Sequence, residues 1–149
     1  MTDCVFCKIV DGSLPSRIVY EDDLVVAFHD AHPSAPIHIL VVPRKHVPTL
    51  NDIQEGNNIL SHMGHVARKI AEDMGVDRSG YRFLINVNKG GGQVIFHVHA
   101  HLVAGRDLGT MFISTGVFLA IVWRRVAGLF GRSRHPKQPG SNPPTNGGQ

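Results

Sequence analysis

Between Val94 and Ala104 apolar and polar residues alternate, with Phe96, Val98, Ala100 and Leu102 interleaving His97, His99 and His101. A strand repeats its side-chain direction every second residue, so this run predicts a strand with three imidazoles on one face and a core-packing face opposite. A helix would scatter the histidines, because its neighbours lie three and four positions apart. Two β-rich runs, Ile18 to Glu21 and Val25 to His29, flank Asp22-Asp23 and read as a hairpin. Pro33 and Pro36 mark residues 30–36 as a loop, and His38 to Val42 reads as a strand before Pro43. Pro43 and Pro48 then bracket a turn carrying Arg44, Lys45 and His46. Leu60, Met63, Ala67, Ile70, Ala71 and Met74 recur at helical spacing, with Gly75 as the stop. His62 and His65 lie largely off that stripe and are expected to be solvated. Tyr81 to Val87 predicts another strand, Lys89 to Gln93 a loop, and residues 4–16 a short helical or looped lead. Short connections favour antiparallel pairing, so the predicted class is α+β.

The 149 residues suit one domain with a real core, and 42% apolar with 18% charged residues describes a globular body. The net charge of +3 hides an asymmetry. Residues 1–110 hold ten Lys/Arg against twelve Asp/Glu, whereas residues 111–149 hold Arg124, Arg125, Arg132, Arg134 and Lys137 with no acid. The basicity belongs to the tail, so the body gives no reason to expect a nucleic-acid partner. Three segments are expected: a domain over residues 1–107, an apolar C-terminal extension over 108–130, and a disordered basic Pro/Gly/Ser tail over 131–149. The apolar run from Leu108 to Trp123 falls short of the ~20 residues of a bilayer span, and Arg124-Arg125 interrupts it. It is expected to pack in a dimer, with weak contact at a membrane surface as the alternative. The first residues lack the basic and apolar regions of a secretory leader, and a cytoplasmic location is expected.

Imidazole is a nucleophile, a proton carrier and a metal ligand near neutral pH. Three histidines in register could form a solvated strand face or a metal tract, but Gly90-Gly91-Gly92 just before them favours a functional site. Cys4 and Cys7 are the only cysteines, and their CxxC spacing suits a metal or redox pair better than a disulfide framework.

His97-Val98-His99-Ala100-His101 resembles the His-x-His-x-His signature of the histidine triad (HIT) family. The wider pattern is similar to its Hint-like branch: Cys4 to Ile9, Tyr20 to Asp23, Ala27 to Asp30, His38, Pro43 to His46, Asn86 and Gly92-Gln93. The resemblance runs from about Cys4 to Arg106. It implies an antiparallel sheet of about five strands with one long and one short helix, continued across a homodimer. It also implies a purine nucleoside phosphoramidase, which cleaves P–N bonds of AMP or GMP conjugates through a nucleotidyl-histidine intermediate. His99 would then be the nucleophile, His101 would reach a phosphate oxygen, and His38 would join the histidine network. Asp30 would take the ribose hydroxyls, a carboxylate on a cis-diol. Phe6, Ile9 and Phe28 would surround the base, although the residue types taken alone favour ordinary core packing for those three. Asn86 and Gln93 would complete the substrate site, Gln93 following glycines that let backbone N–H groups approach a phosphate. Cys4, Cys7, His46 and His97 match the positions that form a structural Zn²⁺ site in one subset of the family, and no organic cofactor is implied.

This chain departs from the family twice. Val94 stands where many Hint members have Ser or Thr, which removes one hydroxyl from the leaving-group side. The short Trp-Pro-Pro ending of many members is absent after Arg106. Two alternatives stay open: a dinucleoside polyphosphate hydrolase of the same family, and a non-catalytic nucleotide-binding module.

Overall fold

Val25, Val26, Ala27 and Phe28 are all buried, although successive residues of a strand face opposite ways. The sheet must therefore be covered on both faces, and it is. The computed structural model describes residues 3–106 and Leu108. In chain order these form α1 (Val5–Val10), β1 (Ile18–Glu21), β2 (Val25–His29), β3 (Ile37–Pro43), α2 (Ile59–Asp73), β4 (Arg82–Ile85) and β5 (Ala100–Ala104). The strands make one sheet in the order β1-β2-β3-β5-β4, antiparallel throughout. The predicted α+β class, five strands, and one long and one short helix are all present.

The face formed by Val25, Ala27, Ile39, Val41, Val98, Ala100 and Leu102 carries Met63, Val66, Ala67, Ile70 and Ala71 of α2. Each large apolar side chain buried this way contributes about 1.5–3 kcal/mol. Gly75 ends α2 as expected, with φ of +69°. Its N–H donates to the Glu72 carbonyl at 3.0 Å, and that of Val76 to the Ala71 carbonyl at 2.9 Å. This pair of bonds is a Schellman motif. The opposite face buries Val26, Phe28, Leu40 and Val42 beneath Phe6 of α1.

The histidine run differs from its predicted form. Regular pairing of β5 begins only at Ala100, and His97 to His99 lie outside the ladder. The register Val41↔Ala100 would next bring Pro43 opposite Val98, and Pro43 has no N–H to donate. The Val98 N–H donates instead to the Val47 carbonyl at 2.7 Å, and that of His97 to Ile95 at 2.9 Å. The two-residue alternation nevertheless survives: Val98 and Ala100 face α2, while the His97 and His99 rings pack on Phe6. The strand predicted over 81–87 is limited to Arg82–Ile85, and the loop before the histidines contains a single 3₁₀ turn over Lys89–Gly91. Leu108 is buried against Ala35 and Val103. The rest of the predicted extension and the whole predicted tail lie outside the described residues. Among the described residues no helix is long and apolar enough to cross a membrane.

His62 is not simply solvated, because its Nε2 lies 2.7 Å from Asp22 Oδ2. Asp22 also accepts from Tyr20 Oη–H at 2.9 Å and from the N–H groups of Leu24 and Val25, both at 2.8 Å. This carboxylate joins the β1–β2 turn to α2. Burial works against its ionisation, but the Val25 and Leu24 N–H groups, His62 and Tyr20 outweigh burial and hold it well below the usual carboxylate range. An acid depressed on folding stabilises the native state above its unfolded pKa of about 3.9, and the gain is lost as pH falls below that value. Asp22→Ala should therefore cost about 2–3 kcal/mol at neutral pH, with a smaller cost near pH 3. Urea unfolding of both proteins at the two pH values checks this, and an equal cost at both would contradict it.

Candidate active site

A cavity of about 570 Å³ opens on the α1 side of the sheet, lined by Phe6, Ile9, Phe28 and Leu40 with His29, Asp30, His99 and His101. Its apolar end suits a flat ring, and its polar end holds two of the three motif histidines.

The hydrogen bonds decide the tautomer of each ring, because some partners can only accept and others only donate. His99 Nδ1 lies 2.7 Å from the His97 carbonyl oxygen, which can only accept. His99 therefore carries its proton on Nδ1, and Nε2 keeps its lone pair for the cavity. Phe6 packs edge-on against this imidazole, with ring centroids 5.0 Å apart.

His38, buried on β3, lies behind the cavity wall. Its Nδ1 accepts from the Ser34 backbone N–H at 3.1 Å, so its proton is on Nε2. Nε2–H then donates to His101 Nδ1 at 2.9 Å, which places the His101 proton on Nε2. That Nε2–H is a buried donor with no protein partner among the described residues. Burial, with His99 and His38 nearby, pushes the His101 pKa down to about 4, and burial also lowers His38 although Asp30 opposes it. His101 is thus neutral at pH 7, with one N–H committed to the site.

The four residues of the implied metal set are brought together: the ligand atoms of Cys4, Cys7, His46 and His97 lie within 4.8 Å of one another. Neither cysteine is in a disulfide. His97 Nδ1 lies 3.5 Å from Cys4 Sγ and 3.6 Å from Cys7 Sγ, and His46 Nδ1 lies 3.3 Å from Cys7 Sγ. A tetrahedral ion at ordinary Zn–S and Zn–N lengths separates a thiolate from an imidazole nitrogen by about 3.6 Å, so these residues fit zinc. His97 Nε2–H donates to the Pro43 carbonyl at 2.9 Å, which leaves Nδ1 free to ligate. The pKa of His97 falls to about 4, chiefly through burial, and the ring is neutral as a ligand must be.

Of the residues expected to bind substrate, Phe6, Ile9, Phe28 and Asp30 line the cavity; Asn86 and Gln93 do not. Asp30 Oδ1 accepts from the His32 N–H at 2.8 Å, and Oδ2 lies 3.4 Å from His38 Nε2. The Gln93 carboxamide is turned inward. Its Oε1 accepts from the Asn88 N–H at 2.9 Å, while Nε2 donates to the carbonyls of Pro48 at 2.7 Å and Ile95 at 3.1 Å. These bonds hold Asn88 at φ +58°, a backbone region that favours glycine, and fix the glycine turn from beneath. Asn86 stands beside Gly92, the turn residue that reaches the cavity. Three groups that sequence reading did not single out set the tautomers: the Ser34 N–H and the carbonyls of Pro43 and His97. All are backbone groups, so no residue type signals them.

A family model described as the HIT domain matches residues 11–108. The purine nucleoside phosphoramidase of Escherichia coli (strain K12) is 47% identical over 116 residues, covering 77% of this chain and 98% of that protein. A histidine triad protein from Clostridium difficile superposes with a TM-score of 0.71 at 49% identity, covering 72% of this chain and 95% of that one. A HIT family hydrolase from Legionella pneumophila Philadelphia 1 gives a TM-score of 0.69 at 42% identity, covering 71% and 96%. With the motif, the fold and these likenesses in agreement, the chain belongs to the histidine triad family.

Proposed function

We propose that this protein hydrolyses P–N bonds of purine nucleoside monophosphate conjugates through a nucleotidyl-His99 intermediate. The observation that carries the reading is the pair of opposed tautomers at the polar end of the cavity: His99 offers a lone pair on Nε2, and His101 a buried N–H. The name of the Escherichia coli relative favours P–N substrates over dinucleoside polyphosphates.

In this scheme the base lies among Phe6, Ile9 and Phe28, and Asp30 accepts from the ribose hydroxyls. His99 Nε2 forms a bond to the α-phosphorus as the bond to the amine breaks, and the amine leaves with a proton taken from solvent at the cavity mouth. His101 Nε2–H donates a hydrogen bond to a non-bridging oxygen as charge builds there, and keeps its proton. Water then attacks phosphorus, the His99–P bond breaks, and the proton returns to solvent. Val94 at the rim is 86% exposed and offers no hydroxyl to the leaving group.

Cys4, Cys7, His46 and His97 would hold a structural Zn²⁺, whose chemistry is to cross-link α1 to the histidine segment. A cytoplasmic setting, where thiols stay reduced, suits this site. A homodimer continuing the sheet is supported by β4, a sheet edge whose four residues are all only partly buried.

His99→Ala should lower single-turnover cleavage of an AMP amide by about 10³-fold or more and leave folding and AMP binding largely intact. A near-normal rate in that variant would rule out the covalent route, and diadenosine tetraphosphate turned over faster than the amide would favour the polyphosphate reading. For the metal, protein purified without chelator should carry about one Zn²⁺ per chain. Cys4→Ser with Cys7→Ser should lower both metal content and melting temperature. Metal-free protein that gains no stability on zinc addition would contradict the site.

A further inference from the structure

Gly105, Arg106 and Leu108 follow the last strand and lie outside every residue assigned to catalysis or binding, yet they lie against the loop that sets the His38 tautomer. Gly105 has φ of +89°, and a Cβ there would fall 2.9 Å from Pro36 Cβ, so only glycine lets the chain pass this close. The Arg106 guanidinium donates to the Ser34 carbonyl oxygen. Leu108 is buried against Ala35 and Val103, and its own carbonyl accepts from Arg82 Nη2 on β4 at 2.9 Å. Three consecutive loop residues, Ser34, Ala35 and Pro36, are thereby each held by this segment.

Both backbone groups of Ser34 are engaged, with opposite neighbours. Its carbonyl accepts from Arg106, and its N–H donates to His38 Nδ1. From there the order of donors follows: His38 Nε2–H to His101 Nδ1, which leaves His101 Nε2–H as a buried, unpartnered donor on a residue that lines the cavity. If the Ser34 N–H moves away, only the Asp30 carboxylate, 3.4 Å from Nε2, still favours the proton there, and Nδ1 can compete for it. His38 could then accept from His101, which would leave His101 with a lone pair where the site needs a donor.

We propose that Gly105, Arg106 and Leu108 form a strap that holds Ser34 in place, making Arg106 and Leu108 positioning residues for the His101 donor. The proposal rests on the phosphoramidase reading for its kinetic consequence, but its structural consequence can be read without turnover.

The test uses the full chain with Arg106→Ala, Arg106→Lys and Leu108→Ala. Ring-nitrogen NMR of the wild type should show His38 and His101 each as a single Nε2–H tautomer. In Arg106→Ala and Leu108→Ala those signals should shift toward tautomer averaging. The kcat for an AMP amide should fall about three- to tenfold, part of the effect of losing one site donor, with KM nearly unchanged. Arg106→Lys, which can still donate to the Ser34 carbonyl, should restore most of both. Unchanged ring signals in Arg106→Ala and Leu108→Ala would overturn the strap, whether or not kcat falls. A wild type that fails to cleave the amide, while Arg106→Ala still shifts the ring signals, would refute the phosphoramidase reading and leave the strap standing.

Discussion

A neutral imidazole is a directed nucleophile only when its single proton is held on one nitrogen. Here that depends on one hydrogen bond, from His99 Nδ1–H to the carbonyl of His97 at 2.7 Å. Everything around it keeps the His97 peptide in place. The His97 ring is anchored by its Nε2–H on Pro43, its Nδ1 faces the two thiols, and the next residue's N–H is bound by Val47. The irregular backbone at His97 and Val98 is therefore functional geometry. A continued ladder would commit these peptide groups to β3, where Pro43 has no donor to return.

The two covered faces of the sheet divide the labour. The α2 face supplies most of the apolar burial, with Val98, Ala100 and Leu102 anchoring the motif from behind. The α1 face is small, and α1 itself buries only Phe6. A six-residue helix is marginal without outside support, because helix nucleation is costly and few of its backbone groups are paired within it. Cys4 and Cys7 on either side of Phe6 supply such support if zinc links them to His46 and His97. The Arg44 side chain adds to it by reaching the Val10 carbonyl, the Asp22 carbonyl and Glu21. The base end of the cavity thus depends on tethers more than on core packing.

Much of this was legible in the sequence because side-chain periodicity and residue type carry it. The α2 stripe with its Gly75 stop, the Asp22-Asp23 hairpin and the antiparallel order all follow from local pattern. So does the sharing of one face by His97 and His99. What escaped depends on backbone groups or distant partners. His62 looks solvated on a helical wheel, and only the fold brings Asp22 to it. Gln93 follows a glycine run as a phosphate ligand would, yet the turn it closes consumes its whole carboxamide. The end of β5 at Ala100 follows from Pro43 in the neighbouring strand, visible only once the register is known. Ser34 acts through main-chain atoms, which any residue type could supply, and the Arg106 guanidinium that meets its carbonyl lies 72 positions away in sequence.

In the proposed reaction the proton held on His99 Nδ1 leaves Nε2 to attack phosphorus. Rapid quenching of the protein with an AMP amide, followed by peptide mass spectrometry, tests it most directly. An adenylyl group on His99, forming and decaying at rates compatible with turnover, is the predicted result. Turnover with no adduct, or with the adduct on His101 or another residue, would contradict it.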